Sequence, residues 1–306
     1  MNIRKLFIHT HRSLYRFMLV GLLAMAVSPK ATGQSIDFFS GVELNLKDID
    51  YQRQYDVLIY LTPGFKWDMG KHWQLTGNVY VPIINQFGEQ YGYVRPNIFV
   101  LSKQLRTGPL YLKGSAGLFS YNRYGLDLKA FLPVSKWLAF EAQAGYVGLM
   151  YMIPEWTATR PDRFAGTIGG DIYLKRWNCQ LRGIAGRFLY QDYGVIAEAM
   201  RHFNHTTVSV YGCWHNTWNH KDEFDAGFKV VVMIPPYHRK QRVVNFRPAS
   251  NYRLTYAVMY YPYSNIMYWT DPEENNRDGW FDRDLLNWGS HTMAPDFVIE
   301  RKEIKE

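Results

Sequence analysis

The chain has 306 residues, of which 35 are Lys or Arg, 27 are Asp or Glu and 17% are aromatic. Five basic residues and no acidic residue lie in the first 33, so the remainder carries 30 basic and 27 acidic residues, a net charge of +3. The formal charge of +8 is therefore no evidence for nucleic-acid binding, and no nucleic-acid partner is predicted.

Residues 1–33 have the three-part layout of a secretory signal peptide. A basic start precedes the apolar run FMLVGLLAMAV at 17–27, and Ala31 and Gly33 stand at the −3 and −1 positions of a cleavage before Gln34. Eleven apolar residues are too few to span a bilayer, which disfavours a membrane anchor. The lack of a Cys near the cleavage site disfavours a lipid-anchored lipoprotein.

Thirteen later segments have the composition or the period-two alternation of β-strands. They are 40–46, 54–67, 72–82, 92–105, 109–120, 124–133, 137–151, 164–175, 178–189, 192–203, 206–215, 225–234 and 251–261. Most are longer than the five or six residues usual in soluble sheets. Their length suits a tilted crossing of a hydrocarbon layer, which takes roughly 9–11 residues.

Short and longer connections alternate between these segments. Tight polar turns lie at 68–71, 106–109, 133–136, 176–178 and 204–206, longer links lie at 47–54, 83–91, 152–163 and 216–224, and 121–124 and 189–193 are intermediate. Bacterial outer-membrane barrels have short periplasmic turns at one rim and longer external loops at the other. The long connection at 235–250 is the one exception to the alternation.

The predicted fold class is all-β, an antiparallel up-and-down transmembrane β-barrel of about 12–14 strands in the outer membrane of a Gram-negative bacterium. An even number, 12 or 14, is expected because bacterial single-chain barrels have even strand counts. Trp67, Trp73, Trp137 and Trp177 all lie beside short turns, as an aromatic belt at a membrane–water boundary requires. A secreted β-sandwich or a soluble barrel is the alternative.

Three parts of the chain are therefore expected: the signal peptide at 1–33, the barrel at 34–261 and a polar C-terminal tail at 262–306. The tail is rich in both charges and ends in ERKEIKE. Three placements are considered in order of preference. The tail is periplasmic, it plugs the lumen, or it contains a further strand.

In a barrel, the polar positions of each alternating strand line the lumen and the apolar positions contact lipid. The predicted lumen-facing residues include Arg95, Lys113, Asp127, Lys129, Glu141, Asp171, Lys175, Arg182, Glu198, Lys229 and Arg253. Such a face is typical of a hydrophilic channel or a polysaccharide-contacting surface, although plain packing of a small polar lumen explains it equally well. Trp156, Arg160, Arg163 and Trp218 are the candidate sugar contacts in the loops, with membrane-interface anchoring as the alternative.

The stretch at 186–214 illustrates the predicted faces. Val195, Ala197, Ala199, Val208, Val210 and Trp214 are expected to face lipid, and Glu198, His202, Ser209 and His215 the interior. Arg201 shares the parity of the lipid-facing set and is expected to snorkel to the interface beside the 204–206 turn. The alternation also places Cys179 and Cys213 on opposite faces, which predicts two free thiols.

The segments GRFLYQDYGVIAEAMRHFNHTTVSVYGCW at 186–214 and FDAGFKVVVMIPP at 224–236 carry a family pattern. A strand that begins Gly-Arg-Phe-Leu leads through an Asp- and Gly-containing hairpin to a strand ending in an Arg and an aromatic residue, and a later Phe-Asp-x-Gly opens a strand ending in Ile-Pro. The matching residues are Gly186, Arg187, Phe188, Leu189, Asp192, Gly194, Glu198, Arg201, Phe203, Phe224, Asp225, Gly227, Ile234 and Pro235. The pattern resembles the YjbH-like family of outer-membrane β-barrels associated with exopolysaccharide and capsule production in Gram-negative bacteria.

The resemblance implies a non-enzymatic role in exopolysaccharide or capsule production or export, with outer-membrane lipid, the polysaccharide and envelope polysaccharide-export proteins as partners. A small-solute porin is the second hypothesis and an outer-membrane lipid-modifying enzyme the third. No GxSxG, HExxH or phosphate-loop motif is present, and no cofactor or metal is predicted. Ser209 and His215 are too far apart to pair, about 20 Å at the rise of a strand.

Overall fold

The computed structural model describes residues 35–47, 56–135, 137–152, 157–203, 206–216, 222–233, 244–248, 251–257 and 267–273. The predicted signal peptide and the tail beyond residue 273 lie outside these ranges. Within the described residues, no helix is long and apolar enough to cross a membrane.

The described residues form fifteen β-strands and two short 3-10 helices, at Glu89–Tyr91 and Lys175–Trp177. The strands are β1 (Ser35–Lys47), β2 (Asp56–Gly70), β3 (Trp73–Asn85), β4 (Arg95–Thr107), β5 (Leu110–Phe119), β6 (Arg123–Pro133), β7 (Leu138–Tyr151), β8 (Thr157–Ala158), β9 (Arg163–Leu174), β10 (Cys179–Arg187), β11 (Tyr193–His202), β12 (Thr206–Asn216), β13 (Asp222–Met233), β14 (Val244–Pro248) and β15 (Asn251–Ala257). All thirteen predicted strand segments coincide with strands. The two-residue β8 and the short β14 were not predicted.

The sheet is mostly antiparallel and runs up and down in sequence order. Each strand from β2 to β13 pairs with the next along the chain, apart from β8, which pairs only with β7, so that β9 pairs directly with β7. Fourteen strands lie on this path, within the predicted 12–14, although two of them, β14 and β15, both pair with β1. The all-β, up-and-down fold class is confirmed at this level.

Strand β1 has paired neighbours on both sides. It pairs antiparallel with β2, from Ser35 opposite Asp68 to Lys47 opposite Asp56. It pairs in parallel with β14, from Ile36 opposite Val244, and with β15, from Leu44 opposite Leu254. Because β14 and β15 follow one another along β1, they share one position across the sheet, and β15 also pairs with β13. The fourteen strands therefore occupy thirteen positions across the sheet. Because this number is odd and neighbouring strands otherwise alternate in direction, β1 and β15 run parallel.

The two ends of the strands differ in the links that they carry. The short links predicted from sequence lie at one end, here called the turn end, and the longer links lie at the other, here called the loop end, except the long link 234–243, which joins β13 to β14 at the turn end. At the turn end, Lys71 and His72 have φ of 53° and 65°, the left-handed pair that a two-residue hairpin favours. Of the four Trp residues predicted beside the short turns, Trp73, Trp137 and Trp177 are exposed at this end and Trp67 is half-buried.

One face of the sheet buries most of the charged side chains, together with a hydrophobic cluster that includes Ile98, Val100 and Phe119, and the other face exposes large apolar side chains. On β6, Leu126 and Leu128 are 65% and 50% exposed, whereas Asp127 and Lys129 between them are 4% and 0% exposed. The same alternation follows the other long strands. The face that holds Asp127 and Lys129 is here called the polar face, and the opposite one the apolar face. This arrangement is the inverse of a soluble sheet, which buries its apolar side.

The stretch at 186–214 follows the predicted arrangement residue by residue. Val195, Ala197, Ala199, Val208, Val210 and Trp214 are exposed, and Glu198, His202, Ser209 and His215 are buried. Arg201 is exposed with its guanidinium carbon 5.7 Å from the ring centre of Phe203. Cys179 and Cys213 are both free thiols, as predicted.

Candidate functional site

Residues 267–273, here called the inner segment, lie against the polar face of the sheet. Tyr268, Thr270, Asp271 and Glu273 are each at most 1% exposed. The inner segment follows β15 after residues 258–266, which lie outside the described ranges. Residues 267–273 of the predicted tail therefore contact the polar face, and the periplasmic placement of residues 274–306 stays a prediction.

The inner segment is attached to the loop end of β5 by its backbone. The Trp269 backbone N–H donates to Ser120 Oγ at 2.7 Å, and the Ser120 backbone N–H donates to the Trp269 carbonyl oxygen at 3.1 Å. The Trp269 ring also packs against Tyr121, with 5.3 Å between centroids. These contacts fix where the segment begins on the polar face.

Tyr268 occupies a specific cavity in that face. Its ring stacks on Phe119 with 5.0 Å between centroids and 11° between planes, and its hydroxyl donates to Asp127 Oδ1 at 2.7 Å. Gln143 Nε2 donates to the same carboxylate oxygen at 2.9 Å. A Cβ on Gly145 would lie 1.6 Å from the Tyr268 hydroxyl, so the absence of a side chain there makes room for the ring.

The acidic end of the inner segment is held by lysines from two separated strands. Asp271 Oδ2 lies 3.0 Å from Lys66 Nζ on β2 and 3.6 Å from Lys113 Nζ on β5. Glu273 Oε2 lies 3.6 Å from Lys66 Nζ. Strands β3 and β4 lie between β2 and β5 in the sheet, so the segment joins parts of the polar face that do not pair with each other.

A second cluster on the polar face surrounds Asp171. Its Oδ1 accepts hydrogen bonds from Gln180 Nε2 and from Arg182 Nε, the latter at 2.9 Å. Arg182 Nε also lies 3.9 Å from Glu141 Oε1. Gln180 Oε1 lies 3.0 Å from His202 Nε2, which extends the hydrogen-bonded chain to a third strand. Burying charged side chains costs free energy, and the ion pairs and hydrogen bonds of this cluster offset that cost.

A third charge pair joins the last long strands. Lys229 Nζ on β13 lies 2.5 Å from Glu198 Oε1 on β11, across β12. Glu198 is buried and Lys229 is half-buried. The three clusters together interleave both signs of charge over the polar face, and such a face suits a hydrated or hydroxyl-rich ligand rather than an apolar one.

Arginine and tyrosine side chains cluster near the loop end. Arg95 lies over the rings of Tyr60, Tyr80 and Tyr91, with 5.6–5.9 Å between its guanidinium carbon and their centroids. The Tyr60 and Tyr80 rings stack at 4.5 Å, and Tyr80 donates its hydroxyl proton to Glu43. Ring faces next to fixed polar groups are the surfaces on which sugar CH groups and hydroxyls are bound together.

A second cluster near the loop end has two arginines at the ring of Tyr190. The guanidinium carbons of Arg123 and Arg163 lie 5.4 Å and 5.9 Å from its centroid. Arg163 was predicted as a sugar contact, and it is half-buried at the first position of β9. Arg160 is exposed in the preceding link, whereas Trp156 and Trp218 lie outside the described residues.

Most of the predicted lumen-facing residues lie on the polar face. Asp127, Lys129, Asp171, Arg182 and Glu198 are buried there, and Arg95, Glu141 and Lys229 are half-buried. The backbone of Arg253 pairs with Val231, but its side chain is outside the described residues. Lys175 is the exception: it is exposed in the 3-10 helix Lys175–Trp177, because β9 ends at Leu174 and the period-two alternation ends with it.

Two features of the site were not predicted. Lys66 was not among the predicted residues, although it shares the parity of Tyr60 and Thr62 on β2. The inner segment was not recognised because its letters, MYWTDPE, have neither strand alternation nor a motif. The one signal in these residues is the joining of aromatic and acidic side chains in the part of the chain that follows β15.

The described residues contain no group of three or more His, Cys, Asp or Glu side chains that is able to hold a metal ion. No protein-family model and no curated protein matches the sequence. The contacts of the polar face are therefore the basis on which a function is assigned.

Proposed function

We propose that the chain is a non-enzymatic outer-membrane β-barrel that acts in the production or export of an exopolysaccharide or capsule, contacting the polymer through its polar interior or its loops. The observation that carries the membrane assignment is the inverted burial of the sheet. An exposed face of Leu, Ile, Val, Phe and Trp side chains about ten residues tall is stable in hydrocarbon and unfavourable in water.

The pairing of β1 supports closure of the sheet into a barrel. Its antiparallel contact with β2 and its parallel contact with β14 and β15 give partners to both of its edges. The Phe38 and Phe246 rings stack at 5.4 Å, and Asn245 Nδ2 donates to Asp37 at 2.9 Å, so side chains join these strands as well. Closure removes open edges, which a hydrocarbon layer does not tolerate.

The polysaccharide role is supported by the resemblance and by the chemistry of the loop end. In the proposed orientation the loop end faces the cell exterior. The Arg95–Tyr60–Tyr80 and Arg123–Tyr190–Arg163 clusters combine ring faces with fixed hydrogen-bond donors there. Those two features recognise a sugar ring by its CH face and by its hydroxyls.

The experiment that tests the role is deletion of the gene in its host, followed by quantification of surface polysaccharide. We expect a reduced amount or altered length, restored by the wild-type gene and not restored by an Arg95→Ala, Arg123→Ala double variant. An unchanged polysaccharide in the deletion strain would exclude the role. Quenching of tryptophan fluorescence by brominated lipids in reconstituted vesicles tests the membrane assignment separately, since Trp73, Trp137 and Trp177 are exposed.

A small-solute porin is the second candidate, and the interleaved charges of the polar face favour it. A porin conducts ions in planar bilayers whether or not a polysaccharide system is present, so steady conductance by the wild-type protein together with unaltered polysaccharide would support it. The inner segment lies across the polar face, which is why we rank this function second. A lipid-modifying enzyme comes third. Such an enzyme calls for a His beside a Ser, Asp or Glu, whereas the ring nitrogens of His202 lie 3.0 Å from the side-chain amide oxygen of Gln180 and from the hydroxyl of Thr207.

A further inference from the structure

Three lysines come together on the polar face. Lys113 on β5 and Lys129 on β6 are directly opposite each other in the strand register, and Lys66 on β2 reaches the same carboxylate as Lys113. Lys66 is 6% exposed, Lys113 is 2% exposed and Lys129 is fully buried. Like charges opposite each other destabilise a sheet, and buried ammonium groups need anions nearby. The sheet therefore contains a site built for negative charge.

Part of that negative charge comes from outside the sheet. Asp271 and Glu273 belong to the inner segment: Asp271 lies 3.0 Å from Lys66 and 3.6 Å from Lys113, and Glu273 lies 3.6 Å from Lys66. The segment approaches from the loop end, where Trp269 bonds to Ser120, and reaches Lys113 farther down the same strand. A stretch of chain thus runs along the polar face, and its two carboxylates end on the lysines.

We propose that Lys66, Lys113 and Lys129 form a carboxylate-binding site for an acidic sugar polymer, and that the inner segment occupies this site as an internal ligand until the polymer displaces it. This inference rests on the proposed function and names its substrate class: a polysaccharide whose sugars carry carboxylates, such as uronic acids, rather than a neutral one. The site binds and releases the polymer without any covalent step.

The surroundings of the lysines suit a sugar. Displacement of Tyr268 bares the ring face of Phe119, on which it now stacks, and removes one of the two donors to Asp127 Oδ1, so that a sugar hydroxyl is able to take its place. Ser115 Oγ is buried two residues from Lys113 and makes no hydrogen bond within the described part of the chain. An aromatic face, hydroxyl partners and cations side by side match the CH face, hydroxyls and carboxylate of a uronate residue.

The experiment measures binding of oligogalacturonate, an acidic probe, and of a maltodextrin of equal length, a neutral probe, to the full chain in lipid nanodiscs. We expect the acidic probe to bind and the neutral probe to bind at least tenfold more weakly. The Asp271→Asn, Glu273→Gln variant loses the internal competitor, so the acidic probe is expected to bind it at least tenfold more tightly than the wild type. Added salt is expected to weaken binding in both.

The Lys66→Gln, Lys113→Gln variant is expected to lose at least tenfold in affinity for the acidic probe. Lys175→Gln, which removes an exposed lysine, is the matched control and is expected to bind as the wild type does. Folding of each variant is checked by its heat-modifiable migration on gels. If the lysine variant does not fold, the salt dependence of binding and the Asp271→Asn, Glu273→Gln variant test the site in its place. Equal binding of the two probes, or unchanged affinity in the carboxylate variant, would overturn the inference.

The outcomes separate this inference from the proposed function. A deletion strain with unchanged surface polysaccharide, combined with selective binding of the acidic probe, would exclude the cellular role and leave the carboxylate site standing. A deletion strain with altered polysaccharide, combined with no selective binding, would exclude the carboxylate site and leave the role standing.

Discussion

Substitution of Gly145 by Ala should release the inner segment from the sheet while leaving every charged residue in place. The new Cβ would lie 1.6 Å from the Tyr268 hydroxyl and 2.9 Å from its ring carbon Cζ, closer than non-bonded atoms approach. Gly145 lies inside β7, and Ala is well tolerated by a strand backbone, so Tyr268 is the group that has to move. Gly114 on β5 is the matched control, because a Cβ there has no neighbour within 4 Å.

The magnitude follows from the contacts that Tyr268 loses. A hydrogen bond to a charged group contributes about 1.5–3 kcal/mol, and a stacked aromatic pair adds about 0.5–1.5 kcal/mol. Loss of the bond to Asp127 and of the stack on Phe119 thus removes about 2–4.5 kcal/mol from the stability of the seated state. That difference corresponds to a roughly 30- to 2,000-fold rise in the ratio of displaced to seated segment.

The assay is the rate of maleimide labelling of a cysteine placed at Thr270, which is 1% exposed, with Cys179 and Cys213 replaced by Ser. Where opening and closing are fast, the labelling rate follows the population of the displaced state. We expect Gly145→Ala to accelerate labelling by roughly 30- to 2,000-fold, and Gly114→Ala to leave the labelling rate unchanged. Equal rates in the two variants would refute the reasoning that Tyr268 holds the segment in place.

Three further outcomes are expected. Leu128→Arg, on the apolar face, should lower the free energy of unfolding in lipid vesicles by about 2–4 kcal/mol near the membrane midplane, and a loss equal to that of Leu128→Ala would count against lipid contact. Glu198→Gln should destabilise the fold by about 3–5 kcal/mol because it removes the carboxylate 2.5 Å from the Lys229 ammonium, and adding Lys229→Met should recover most of the loss, as urea titration of both variants can measure. Diamide treatment should form no intramolecular disulfide between Cys179 and Cys213, and a diamide-dependent mobility shift on non-reducing gels would contradict their placement on opposite faces.

The strands and their faces were predictable because each long strand carries its own local signal. On β6 the alternation of Leu126, Asp127, Leu128 and Lys129 predicts the strand and separates the two exposed leucines from the two buried charged residues. Lys175 shows the limit of that signal, since extending the alternation past Leu174 placed a turn residue on the wrong face. A period-two pattern assigns a face only as far as the strand continues.

The pairing of the ends and the inner segment were not predictable because they depend on contacts distant in sequence. β14 lies within a link that reads as a loop, and its strand character appears only through its parallel register with Ile36–Ser40. The contact of Asp271 with Lys66 joins residues about two hundred positions apart. No periodicity or spacing within the chain encodes such a pairing.

The parallel pairing of β1 and β15 also determines how the inner segment approaches the polar face. β1 begins at the turn end, so β15, which runs in the same direction, ends at the loop end. Trp269 is bonded to Ser120 at that same end, and Asp271 lies farther along β5 at Lys113. With an even number of positions, the chain would leave the last strand at the turn end and have no need to enter the interior from the loops. In the proposed barrel and orientation, an odd number of strand positions therefore brings the acidic segment to the outer mouth of the lysine-lined interior, where we propose that it competes with an acidic polymer for the same cations.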